Sequence, residues 1–256
     1  MSVNSRERLL AAARGGDVDR APWLVWPRLG DLAEVNDAAI RAGADAVVVR
    51  ELQHVAEMAA RCGLDGPAVL YECHSPFGAA SSKGIDLNQA IFASPVEGSA
   101  LLDTIAQNCE REAQEALELG ADGVFYVLEG ATPGLCTPMQ YGGFFLERDR
   151  QLLDAVADAR FNLMFVAGGE GTYLDFVHDL PASALAWDEP ASGIGHEQVR
   201  KMHEGTIACG LFGDRETLWR SFAGRGLVFF GILDEVRDLD EIGREMNELK
   251  SGALHG

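Results

Sequence analysis

The 256-residue chain carries 40 acidic against 21 basic side chains, a formal net charge of −19, and is 47% hydrophobic. Length and composition suit one globular domain with a full core, and the negative charge repels nucleic acid phosphates and anionic lipid surfaces, so neither is expected as a partner. No apolar run approaches the roughly 18–20 residues of a membrane span, and the opening residues lack the basic-then-apolar layout of a signal peptide, so a cytoplasmic protein is expected.

Ser5 to Arg14 reads as a helix capped by Ser5 and broken at Gly15-Gly16. Eight apolar runs follow, each cut off by a polar residue or a glycine turn: Ala21–Trp26, Ala44–Val49, Ala68–Tyr71, Gly123–Leu128, Leu163–Ala167, Ala184–Trp187, Thr206–Phe212 and Leu227–Leu233. The segments between them have helical spacing. Phe161 to Asp188 displays the unit in full, as strand, Gly168-Gly169-Glu170-Gly171 turn, short helix from Tyr173 to His178, and a second strand ending at Asp188-Glu189-Pro190. An open doubly wound sheet is the alternative layout, but eight units in about 250 residues favour a single (β/α)8 TIM barrel with an N-terminal helix. No linker or low-complexity segment divides the chain, so residues 1–256 are read as one domain. Asp238 to Lys250 reads as a final amphipathic helix and Ser251 to Gly256 as a frayed tail.

In a barrel, the residues ending the strands gather on the carboxyl-terminal rim, where ligands bind. The acids placed there are Glu51, Glu72, Glu129, Glu170, Asp188, Glu189 and Asp214; the bases are Arg28 and Arg50. Asp234 ends the last run. Such a mouth favours a cation, a divalent metal, or a small substrate worked on by carboxylate acid–base pairs. Glu72-Cys73-His74 is the densest cluster: by the strand period of two, Glu72 and His74 share a face and Cys73 points the other way. A carboxylate and an imidazole so placed can form a proton relay or two metal ligands, Asp188 and Glu189 completing a hard oxygen set for a divalent cation; the cofactor is accordingly none or a divalent metal. Glu129 precedes a lid-length loop, Gly130-Ala131-Thr132-Pro133-Gly134, and Glu170 lies in a glycine turn that alternatively could cradle phosphate. Trp26, Tyr141 and Trp187 are expected as pocket walls. The five cysteines contain no C-x-x-C pair and suit a reducing compartment; Cys136, near the rim loops, is read as packing rather than as a nucleophile. His178, His196, His203 and His255 are read as helix-surface or tail residues.

Four stretches carry a resemblance. Arg6-Glu7-Arg8-Leu9-Leu10-Ala11-Ala12-Ala13-Arg14-Gly15 followed by Asp19-Arg20-Ala21-Pro22, then Ser75-Pro76-Phe77-Gly78-Ala79-Ala80-Ser81, Gly120-Ala121-Asp122-Gly123 through Thr137-Pro138, and Gly210-Leu211-Phe212-Gly213-Asp214 resemble, in order, the uroporphyrinogen decarboxylase superfamily. That resemblance implies a barrel, a decarboxylase-type lyase or a corrinoid or coenzyme M methyltransferase, a homodimer, and possible partnership with a corrinoid protein. It also implies site residues: Arg28 for a substrate-gripping arginine turn, here Trp26-Pro27-Arg28-Leu29-Gly30-Asp31; Glu51 beside the place of an aspartate after the second strand; and Ser82 at a tyrosine position. The methyltransferase's H-x-C zinc motif is replaced by Phe165-Val166-Ala167, and an acidic rim with two arginines does not suit an octacarboxylate porphyrinogen. The expectation is a diverged enzyme in which His74, Glu72, Glu51 and Glu129 act on a small molecule bound by Arg28, Arg50, Trp26, Ser82, Tyr141, Glu170 and Trp187. Its alternatives are a methyltransferase without the zinc motif and a non-catalytic tetrapyrrole- or corrinoid-binding barrel. The rim discriminates: an enzyme brings His74 and at least two of Glu51, Glu72, Glu129 and Glu170 together.

Overall fold

Every one of the eight apolar runs forms a parallel strand: β1 (Trp23–Pro27), β2 (Ala46–Val49), β3 (Ala68–His74), β4 (Gly123–Leu128), β5 (Leu163–Val166), β6 (Ala184–Trp187), β7 (Thr206–Gly210) and β8 (Leu227–Leu233). The computed structural model describes residues 3–28, 32–222, 224–233 and 238–249. Strand pairing runs without interruption in the order β1-β8-β7-β6-β5-β4-β3-β2. At the seam between β1 and β2 the Asp45 N–H donates to the Trp23 carbonyl at 2.8 Å. With helices between successive strands, this is a nearly closed (β/α)8 barrel, and the open-sheet alternative is set aside.

The strands separate their side chains by the period of two. Leu24 and Trp26, Ala46 and Val48, Ala68 and Leu70, Phe125 and Val127, Leu163 and Phe165, Ala184 and Ala186, Ala208, and Val228 and Phe230 fill the barrel, whereas the alternate residues pack under the helices. An aromatic plug forms the upper part of the interior: Trp26 lies 5.0 Å from Phe125 and 5.3 Å from Phe165 between ring centroids, and Phe230 lies 5.8 and 5.7 Å from the same two rings. The barrel is therefore a packed core whose top surface is the floor of the rim.

Several boundaries differ from expectation. The helix cap is Asn4, not Ser5: the Asn4 side chain accepts from the Glu7 N–H while Glu7 reaches back to the Asn4 N–H, a capping box before Ser5–Ala13. β3 extends three residues past Tyr71, because β4 pairs with it as far as His74 opposite Val127. Glu72, Cys73 and His74 consequently stand on the strand itself, with the alternation of faces that the period of two requires. β7 ends at Gly210, whose φ of 74° turns the chain. The short helix is Leu174–Val177 and the last one Leu239–Glu248. Asp31, Asp234, His255 and the tail 251–256 lie outside the described residues.

The amino-terminal face is pinned by buried charge. Asp45 is fully buried and accepts from Arg8 at 2.7 Å, from Arg20 at 2.8 Å and from the Trp23 N–H at 3.0 Å. Arg6 donates to the Gly63 and Leu64 carbonyls at 2.9 and 2.8 Å and lies 2.9 Å from Asp122. These residues of the opening motif hold the first helix against the bottom of the barrel, far along the strands from the rim.

Candidate active site

Interior parity carries five polar residues to the top of the first four strands. Arg28 follows Trp26 by two, Arg50 follows Val48, Glu72 and His74 follow Leu70, and Glu129 follows Val127. Glu72 is the buried centre, its side chain 4% exposed. The Trp26 indole N–H donates to Glu72 Oε2 at 2.6 Å, and Arg50 Nε–H reaches both carboxylate oxygens at 3.0 Å. His74 stands between two carboxylates, with Nε2 3.3 Å from Glu72 Oε1 and Nδ1 3.1 Å from Glu129 Oε2. Its side chain is 39% exposed and that of Glu129 31%, so these two face the mouth while Glu72 does not.

The electrostatics follow from that order. Burial pushes the Glu72 carboxyl up, but hydrogen bonds from His74, Trp26 and Arg50 outweigh it and leave Glu72 below its ordinary value, an anion. The hydrogen bond to Glu129, then that to Glu72, raises His74 to about 9 against burial. At neutral pH the ring is an imidazolium with both N–H groups committed to carboxylates.

The loop after β3 builds the remaining wall. Ser75 caps the helix Pro76–Ser81: its Oγ accepts from the Gly78 N–H at 3.2 Å and from the Glu129 N–H at 3.1 Å, tying the end of β3 to that of β4. Gly78 leaves the space occupied by the Glu129 carboxylate, where a Cβ would lie 1.5 Å from Oε2.

Across the mouth, Arg28 donates to Asp188 Oδ2 at 2.5 Å, bridging the ends of β1 and β6. Beyond that bridge a cavity of about 480 Å³ opens over β6, β7 and β8, walled by Trp187, Leu211, Phe212, Leu218, Phe230 and Ile232. Trp187 forms one wall of that cavity. Asp188 caps the helix Glu189–Ser192 and also borders the cavity.

Other predicted site residues are placed elsewhere. Trp26 is a buried member of the aromatic plug that positions Glu72 through its N–H, and it does not wall the pocket. Tyr141 is fully buried behind the barrel wall, donating to Asp149 Oδ2 at 2.6 Å. Ser82 is exposed at a helix end and donates to the Ala79 carbonyl. Glu51 and Glu170 are exposed, and their carboxylates make no hydrogen bond or ion pair among the described residues. Asp214 caps the helix Arg215–Phe222 through Thr217. Glu72, His74, Asp188 and Glu189 are not gathered around one point: Asp188 is turned to Arg28 and Glu189 to His196, and among the described residues no group of three or more His, Cys, Asp or Glu side chains is arranged to hold a metal ion. Cys136 is buried beside Asn88, and burial raises its thiol, in keeping with packing. His203 bridges the carbonyls of His178 and Thr206.

Two residues escape the pattern read from sequence. His196 borders the pocket, its Nδ1 3.1 Å from Glu189 Oε1, yet a seven-residue separation across Gly193 and Gly195 gives no periodic signal for the pair. Gly78 reads in sequence only as part of a turn.

Fold and rim together define a (β/α)8 barrel with a carboxylate–imidazole–carboxylate set on its carboxyl-terminal face. No family model matches the chain, and no curated protein matches it in sequence. Among solved structures, a methyltransferase from Methanosarcina mazei is similar over 96% of this chain and 98% of its own, with a TM-score of 0.75 and 14% identity. The aldolase QR15 is similar over 90% of this chain and 95% of its own, with a TM-score of 0.50 and 14% identity. These likenesses are of fold.

Proposed function

We propose that this protein is a diverged relative of the uroporphyrinogen decarboxylase superfamily and an enzyme of proton transfer on a small molecule, a decarboxylase-type lyase with His74 as general acid. One observation carries the reading: His74 converges with both Glu72 and Glu129, the arrangement that separates a catalytic rim from a simple binding mouth. Glu72, held by Trp26 and Arg50, fixes the ring and keeps it charged; Glu129, more open, faces the substrate side. In the proposed step the bond from substrate carbon to its carboxylate breaks, CO2 leaves, and the electron pair stays on carbon. That carbon takes a proton from the imidazolium, whose charge has stabilised the developing carbanion. Arg28, exchanging Asp188 for the substrate, serves a single carboxylate. Both rim guanidiniums are otherwise committed to Asp188 and Glu72, which argues against a polycarboxylate.

Methyl transfer is the second reading, favoured by the likeness to the archaeal methyltransferase. It would dispense with a thiolate set at β5, where Phe165 and Val166 stand.

The test is turnover in D2O of a panel of small β-keto, α-amino and aromatic carboxylic acids, following CO2 release and deuterium at the vacated carbon. His74→Gln is expected to lower turnover by about 10²–10⁴-fold, and the wild-type rate to fall as pH rises through about 9. A substrate turned over equally by wild type and His74→Gln would refute the assignment of the acid.

A further inference from the structure

The cavity over β6–β8 has a polar inventory of one sign. Asp188 is committed, with Oδ1 accepting from the Ala191 N–H at 3.1 Å and Oδ2 from Arg28. Asp214 is committed through both oxygens to Thr217. Glu189 uses only Oε1, which accepts from the His196 backbone N–H at 3.2 Å and faces the ring Nδ1 at 3.1 Å. Nδ1 sits against a carboxylate oxygen and donates to it, and in the tautomer with its proton on Nδ1 the ring offers Nε2 as a lone-pair acceptor. Neither Glu189 Oε2 nor His196 Nε2 has a hydrogen-bond partner among the described residues. The pocket's uncommitted polar atoms on these two side chains are therefore both acceptors.

Their setting is fixed. Trp187 donates its indole N–H to the Ile194 carbonyl at 2.7 Å, which holds the Gly193–Gly195 turn leading to His196, and the His196 ring meets Phe222 edge-on at 5.7 Å. Apart from Asp188, Asp214, Thr217 and Cys209, the rest of the wall is glycine, aromatic or aliphatic, and about 480 Å³ is the size of a small-molecule site. A ligand that satisfies two acceptors, one of them anionic, must bring N–H donors and positive charge; one that fills the remainder must bring an apolar body. Aromatic faces add attraction for a cation, and the chain's net charge of −19 raises the local concentration of cations.

We infer that this pocket is a binding site for an amphipathic amine, a primary or secondary ammonium on an apolar body, with its N–H groups directed to Glu189 Oε2 and His196 Nε2. The inference goes beyond the proton-transfer reading and is measured without the triad, so either can fail alone.

The experiment is calorimetric titration at pH 8 with three probes of one shape: 2-phenylethylamine, 2-phenylethanol and 3-phenylpropionate. The amine is expected to bind at least about ten-fold tighter than the other two. Glu189→Gln, which keeps the side chain's shape, is expected to remove that preference, and His196→Phe, which keeps a ring against Phe222, to weaken the amine while sparing the alcohol. Thermal melting of each variant within a few degrees of wild type establishes that the pocket is intact. Equal binding of the alcohol or the carboxylate, an unchanged amine affinity in Glu189→Gln, or no saturable amine binding to wild type up to about 10 mM overturns the inference.

Discussion

A Cβ on Gly78 would stand 1.5 Å from Glu129 Oε2, inside the space that the carboxylate occupies beside His74. The obstacle is the end of a flexible side chain rather than backbone, so Gly78→Ala leaves the helix Pro76–Ser81 intact and moves Glu129 instead. It is expected to lower turnover to the level of Glu129→Gln and to shift the melting temperature little, a pairing that steady-state kinetics and calorimetry check together. Full activity in Gly78→Ala would show that the Glu129–His74 contact is dispensable. At this scale the sequence was legible where a single strand decides. Glu72 and His74 share a face by parity, and both belong to the triad. It was opaque where two distant segments meet, as at Glu189 and His196, or where rings from different strands meet inside the barrel, as for Trp26 with Phe125 and Phe165.

Among the elements, β4 and the segment after it carry a second buried acid outside the rim. Tyr126 on β4 and Tyr141, opening the π-helical turn Tyr141–Phe145, donate to the two oxygens of Asp149 at 2.7 and 2.6 Å. Burial pushes this carboxyl up to about 7, against the pull of those two hydrogen bonds. A folded-state value above the ordinary 3.8 means that the folded protein holds the proton while the unfolded chain has released it, so Asp149 contributes less stability as pH rises from about 4 to about 7. His74, raised from 6.5 to about 9, likewise contributes stability that is present below 6.5 and lost as pH rises through about 9. Asp149→Asn is therefore expected to raise the melting temperature relative to wild type by more at pH 8 than at pH 5. Taking the difference between the two pH values cancels any fixed cost of the amide's altered hydrogen bonding. A difference independent of pH would mean that Asp149 does not titrate in that window. Nothing in the residue order ties Tyr141 visibly to Asp149. Their eight-residue separation spans a π-helical turn, and only the turn's wider pitch decides which way the phenol points.

For the whole molecule, stability and chemistry lie at opposite ends of the strands. The opening stretch, with Arg6, Arg8 and Arg20, builds the amino-terminal face, while Glu72, His74 and Glu129 build the rim. The fold was readable because eight strand–helix units repeat one arithmetic, whereas the substrate was not, because the rim depends on side chains meeting across the barrel. Asp45 tests the division. It is fully buried, accepts from two arginines and a backbone N–H, and its loss leaves Arg20 without its anion in a dry site and Arg8 with Asp19 alone. Breaking such a network costs roughly 3–5 kcal/mol, or about 10 °C in a chain of this size. Asp45→Asn keeps the shape and removes the charge, so its melting temperature is expected to fall by about that amount, while amine affinity and turnover per folded molecule, measured well below the transition, stay at wild-type values. A stable Asp45→Asn would show that burial of the surrounding apolar core, not the arginine–aspartate network, closes the barrel at β1 and β2. A folded variant with a damaged rim would show that the seam transmits strain along the strands to the site.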